Sequence, residues 1–420
     1  MQSDRELLTT MFHAAVAAAD PAQAIRPYLP DAPKGRTVVI GAGKGAAQLG
    51  QAFEKMWPGD ISGLIVTRYG YGALCERLEV IEASHPVPDP AGEVAARRLM
   101  ELVDGLTEDD LVVALISGGG SALLPAPPGE LTLEDEIALN EALLASGAPI
   151  SAMNAIRKQV SRIKGGRLAA LAHPAKVVSL IVSDVPGDDP AEVASGPTVA
   201  CARDRQSALS AIRDWQIELP ERVMRHIETA EETAPNPVDP AFERDEVHVI
   251  ASAARSLEAA AEVAAQAGVS PHILSDAIEG EAREVARVHA AIARECSTRA
   301  RPFAAPAVIL SGGETTVTIR SKGGRGGRNT EFLLSLAIEL DGCPDVLALA
   351  ADTDGIDGSE QNAGAFVNGN TAARLRETGT DARSYLGKND AWSAFNSIEE
   401  LFSPGPTGTN VNDFRAILVR

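Results

Sequence analysis

The sequence predicts an α/β fold, three-layered, with mostly parallel sheets covered by helices on both faces. Two observations carry that expectation. Short apolar, largely β-branched runs alternate with Ala-rich helical stretches: TVVI, GLIV, LVVALI and VVSLIV, then VHVI, PHIL, AVIL and VLALA. Runs of this kind between helices mark strands buried on both faces. The chain is also 420 residues long, more than one ordinary core accommodates, so two domains are expected. The segment EETAPNPVDPAFERDE, with three prolines among acids, reads as their boundary. The domains are accordingly placed at residues 1–240 and 241–420.

Taken in order, residues from Asp4 to Ala19 have helical periodicity, with Leu7, Leu8, Met11, Phe12 and Ala15 on one side. Ser3 or Asp4 caps that helix, and Asp20-Pro21 ends it. Each later strand then opens into a loop that bears on function, because open parallel sheets bind ligands beyond the carboxyl ends of their strands. TVVI is followed by Gly41-Ala-Gly43-Lys44-Gly45, and LVVALI by Ser117-Gly118-Gly119-Gly120-Ser121. VVSLIV leads into Ser183-Asp184, AVIL into Ser311-Gly312-Gly313-Glu314, and VLALA into Asp352-Thr353-Asp354-Gly355. Glycine there lets backbone N–H groups converge on an anion, and a following helix adds the positive end of its dipole. Together these loops favour a phosphate-rich ligand such as a nucleotide.

The charge balance sharpens this. With a net charge of -20, the chain lacks the basic face of a nucleic-acid binder, so local clusters of Lys and Arg stand out. The clearest is RSKGGRGGRNTEF, where Lys322, Arg325 and Arg328 are interleaved with glycines ahead of a helical run. It reads as an anion clamp at a helix start, with Asn329 beside it. The preceding SGGETTVTIR alternates like a strand. In SAMNAIRKQVSRIKGGRLAALA, Arg157, Ser161 and Lys164 fall at helical spacing on one face, either a solvated stripe or a ledge for a carboxylate or phosphate. Near the carboxyl end, GPTGTNVND offers Thr407 and Asn410 to a polyhydroxy substrate.

Other signals are weaker or negative. GAGKGA fits the dinucleotide fingerprint, but GLIV is followed by Thr67 and Arg68 where an acidic ribose ligand belongs, a pattern suited only to NADP. It fails as a Walker A loop, leaving Lys44 as a point charge for a phosphate. Ser117 and Ser121 do not meet G-x-S-x-G. DTDGIDG lacks the closing glutamate of a calcium loop, although Asp184 and Asp354 suit magnesium held jointly with phosphates. His85 reads as a loop hydrogen-bonder. Cys75, Cys201, Cys296 and Cys343 are scattered without metal spacing, as in a reducing compartment. MQSDRELL has no signal-peptide pattern and no apolar run reaches a membrane-spanning length, so a cytoplasmic protein is expected.

The stretches GAGKGA, HPVPD, LISGGGSALL, MNAIRKQVSRIKGGRLA, SDVPGDDPAEVASGPT, SGGETTVT, GGRGGRNTEF, DTDGIDG and GPTGTNVND, in this order, resemble the class II glycerate kinases, whose carboxyl-terminal part is called the MOFRL domain. The resemblance covers residues from about 40 to 413. It implies two α/β/α domains with the active site in the cleft between them. It further implies ATP- and Mg2+-dependent phosphorylation of D-glycerate at its 2-hydroxyl. By motif, Lys44, Arg328 and Asp354 take catalytic roles. The glycine loops Gly43, Ser117 to Ser121, Gly312 and Gly313 then serve substrate and nucleotide, with Glu314, Arg325, Asn329, Arg157, Lys164, Thr407 and Asn410. The partner is a small molecule, with no nucleic acid and no membrane, and a homodimer is left open. Members have also been called hydroxypyruvate reductases, which keeps an NAD(P)H-dependent reductase as the rival. A non-catalytic nucleotide sensor ranks third, since none of Lys44, Arg328 and Asp354 is missing.

Overall fold

A computed structural model describes residues 3–185, 187–202, 204–230, 234–321 and 323–420. Lys322 and part of the acidic boundary segment (231–233) lie outside the described residues. Two compact units result: residues 21–250, and residues 1–20 together with 251–420. The single division expected at residue 240 is therefore replaced by a chain that starts and ends in the same unit. The reason lies in the first helix, Asp4–Ala18, whose apolar face is buried with Leu257, Ala260 and Phe414 of the carboxyl-terminal unit. Ser3 does cap it, in a reciprocal arrangement with Glu6.

In the unit of residues 21–250, the strands are β1 (Thr37–Ala42), β2 (Ser62–Arg68), β3 (Glu79–Ala83), β4 (Leu111–Ser117), β5 (Lys176–Val182) and β6 (Glu246–Ala251). They form one sheet in the order β3-β2-β1-β4-β5-β6. The pairings from β3 through β5 are all parallel. Strands β1 and β4 are buried along their whole length, as their unbroken apolar runs require. The order reverses between β1 and β4, so the loops after these two strands flank the topological switch point.

The other unit contains β7 (Ser270–Ser275), β8 (Gly280–Glu281), β9 (Ala307–Ser311), β10 (Thr315–Thr316), β11 (Val346–Asp352), β12 (Gly364–Asn368), β13 (Leu401–Phe402) and β14 (Asp413–Val419). Its large sheet has the order β13-β12-β11-β14-β9-β7, and β10 pairs with β8. In this sheet β14 runs antiparallel to both β11 and β9, and β12 to both β11 and β13. The α/β class holds throughout. The strand expected over SGGETTVTIR is reduced to Thr315–Thr316, because the Thr318 amide and hydroxyl bond the Glu281 carboxylate instead of a ladder.

Candidate functional site

At the switch point the loops after β1 and β4 are tied together. The Lys44 amide donates to Gly118 O (2.8 Å) and the Gly45 amide to the Ser117 hydroxyl (3.0 Å). The Ala46 amide donates to Gly43 O. Gly43 has φ 134°, and a Cβ there would lie 2.3 Å from Ser117 O, so this approach needs glycine. These three amides, the ones a dinucleotide fingerprint would turn toward a pyrophosphate, are thus already bonded within the protein. What the turn presents is the Lys44 side chain.

Lys44 runs over Gly119, which has φ 81°; a Cβ there would lie 3.1 Å from Lys44 Cγ and 3.2 Å from both Lys44 Cε and His85 Nε2. Arg68, at the end of β2, lies over the Tyr71 ring. Burial, then Lys44, Arg68 and Arg157, push the His85 imidazole down to about 4, so it is neutral at physiological pH. Loops or ends of four adjacent strands, β1 to β4, therefore bring Lys44, Arg68, His85 and Gly119 together. On the other side of the loop, a Cβ on Gly118 would collide with the Asp184 carboxylate.

Arg157 is the most telling member. Five cations are buried among the described residues. Lys158 holds Glu192, Lys164 holds Glu136, Arg283 holds Glu331 and Arg415 holds Asp413. Arg157 instead donates to two asparagine oxygens, Asn140 Oδ1 at 3.1 Å and Asn154 Oδ1 at 3.2 Å. No ion pair to it forms among the described residues, and burial draws its pKa down to about 10 against a smaller opposing effect of Glu136. A buried cation without a counter-charge is costly unless an anion arrives.

The expected helical ledge is not formed. The helix Ile150–Arg157 ends at Arg157, and a 3-10 turn, Lys158–Val160, follows. The Ser161 hydroxyl accepts the Ile163 and Lys164 amides. Lys164 donates to Glu136 Oε1 and Leu124 O, both at 2.8 Å, and so forms a buried ion pair. Ser121 is likewise turned inward, meeting Ser195 Oγ at 2.8 Å; Ser195 in turn donates to Asn154. Ala194 and Ser195 sit at φ 53° and 60°, buried strain beside the Arg157 network. Asn154 and Ser195 lie in stretches that carry the resemblance, but their role here, like that of Asn140, was not singled out, because it depends on contacts between distant segments.

In the carboxyl-terminal unit, Arg328 begins the helix Arg328–Glu339. It donates to Asp413 Oδ1 (2.6 Å), Asp352 Oδ2 (2.7 Å) and Glu314 Oε1 (2.8 Å). Burial opposes its charge, but the three carboxylates more than offset this and raise its pKa. Burial also drives Asp352 well above the usual carboxylate range. The helix start expected to attract an anion already has one: Asp357 accepts the Asn329 amide (2.9 Å) and the Thr330 amide (2.8 Å). Arg325 lies 3.9 Å over the Trp392 ring and donates to Ser393. The anion clamp of the sequence reading is thus a cation network closed by the protein's own carboxylates, with exposed Glu314 at its edge.

The remaining residues of this loop set are placed as follows. Asn329 is buried, its Nδ2 on Asp413 and its Oδ1 without a partner among the described residues. Gly312 O accepts from Arg415, and a Cβ on Gly313 would strike the Ile278 backbone. Asp354 accepts the Ile356 amide. Thr407 donates to Thr353 O, which ties its loop to the one after β11, and Asn410 accepts the Asn412 amide. No group of three or more His, Cys, Asp or Glu stands at metal-holding geometry among the described residues.

Fold and site define a class: an α/β protein of two units with a cluster of cations at a parallel-sheet switch point. Residues 7–228 match a domain of unknown function, DUF4147, and residues 307–413 match the MOFRL family. A Thermotoga maritima protein named D-glycerate 2-kinase is 37% identical over 414 residues, covering 98% of this chain and 97% of the relative. A crystal structure of a glycerate kinase from that organism aligns with a TM-score of 0.89 at 37% identity, covering 99% of both chains. An Agrobacterium vitis protein, 52% identical over 419 residues and covering 99% of this chain and 95% of the relative, is named "Putative hydroxypyruvate reductase". The chain belongs to the glycerate kinase family that combines DUF4147 with MOFRL.

Proposed function

We infer that the protein transfers the γ-phosphoryl group of ATP to the 2-hydroxyl of D-glycerate, giving 2-phosphoglycerate and ADP. The observation that carries this reading is the trio Lys44, Arg68 and Arg157, gathered around a neutral His85 in a chain of net charge -20. Phosphoryl transfer asks chiefly for positioning and for neutralising charge on the transferred oxygens. Lys44 is the candidate for the second task, with Arg157 and Arg68 holding the acid's carboxylate or the phosphates. The names of the family relatives from Thermotoga maritima and Pyrococcus horikoshii support the same reaction.

Arg328 serves as a catalytic cation if the incoming phosphate displaces exposed Glu314, the outermost of its three partners. Asp354 is the candidate to orient the 2-hydroxyl or accept its proton. Asp184 and Asp354 are the candidates to hold Mg2+, which would neutralise phosphate charge. A reducing cytoplasm suits the four unpaired cysteines.

The test is a two-armed assay on purified protein. D-glycerate with Mg-ATP should release ADP and give a product that enolase consumes. Oxidation of NADH or NADPH by hydroxypyruvate without ADP release would instead support the reductase and overturn the kinase.

A further inference from the structure

Resting on that reading of the β1–β4 loops, we propose that His85 is a specificity-determining residue, accepting a hydrogen bond from a hydroxyl of the substrate. Lys44, Arg68 and Arg157 are donors only, so they can bind a carboxylate or phosphate but cannot receive a hydroxyl proton. An imidazole without a proton on one nitrogen can. His85 Nε2 lies within 3.2 Å of the same point above Gly119 as Lys44 Cε, so its edge borders the lysine stem. Its surroundings among the described residues consist of partial burial and three cations, with no hydrogen-bond partner. The positive charges favour the tautomer that turns its lone pair toward them.

A ligand that satisfies the whole cluster therefore carries both a negative group and a hydroxyl, the chemistry of a small hydroxy acid. Asp184, behind Gly118, is the competing acceptor.

The experiment measures binding by calorimetry for D-glycerate, 3-hydroxypropanoate (which lacks the 2-hydroxyl) and D-lactate (which lacks the 3-hydroxyl). Wild type should prefer D-glycerate over one deoxy acid by about 10-fold, the worth of one such hydrogen bond. His85→Phe should lose that preference, and His85→Gln should recover part of it. A His85→Phe protein that retains the full preference overturns the proposal. If that variant does not fold, 15N resonances of wild-type His85 decide: Nε2 should shift with D-glycerate and not with the deoxy acid, and equal shifts contradict the assignment. Wild type that binds none of the three acids sinks the underlying site reading instead.

Discussion

Lys164 and Arg157 lie seven residues apart, are both buried, and have opposite fates. Lys164 is neutralised by Glu136. Lys164→Met leaves Glu136 as a lone buried charge and should cost about 3–5 kcal/mol of stability, while Lys164→Met with Glu136→Leu recovers much of it. Thermal or urea unfolding of the two variants checks this. Spacing alone put both cations on one face; the Glu136 partner, 28 residues upstream, decides otherwise. Lys44 stands out in the sequence because a lysine inside a glycine turn after a buried strand has few structural uses. Lys44→Ala should lower turnover by about 10²-fold with little change in melting temperature, and an unchanged turnover would remove it from the catalytic set.

At the scale of elements, the loop after β4 depends on Gly119. Gly119→Ala puts a Cβ at positive φ and against Lys44 and His85. The expected result is a destabilisation of about 1 kcal/mol and at least a 10-fold fall in kcat/KM, read from unfolding and steady-state kinetics. In the helix Ala282–Arg299, His289 bonds Val285 O and Ser311 Oγ, and burial lowers its pKa to about 4. Its unfolded value is about 6.5, so the unfolded state binds more protons between the two values. The contribution is fully present above pH 6.5 and is lost as pH falls toward 4, with an upper size of about 3 kcal/mol. His289→Gln should flatten that acid limb in a pH series of denaturation curves; an unaltered slope would contradict it. Most sheet strands were visible as apolar runs. The edge strands β3 and β13 were not, because a half-exposed or two-residue strand carries too little apolar pattern, and neither was buried β12, whose apolar run AFV is only three residues long between Gly364 and Asn368.

For the molecule as a whole, alternation of strands and helices was enough for the α/β class, and the order of motifs for the family. The placement of the first twenty residues was not legible, since an amphipathic helix shows which face it buries but not against what. The antiparallel course of β14 was hidden for the same reason: it reads as one more apolar run. Among the described residues, four buried cations hold carboxylates and one, Arg157, holds two asparagine oxygens instead. The most direct measurement is therefore Arg157→Gln, assayed for turnover with D-glycerate and Mg-ATP and for melting temperature with and without inorganic phosphate. The account predicts a ligand-free melting temperature equal to or above wild type, no stabilisation by phosphate, and a fall in kcat/KM of about 10²-fold. A variant that melts well below wild type yet keeps full kcat/KM would show Arg157 to be structural and contradict the anion site.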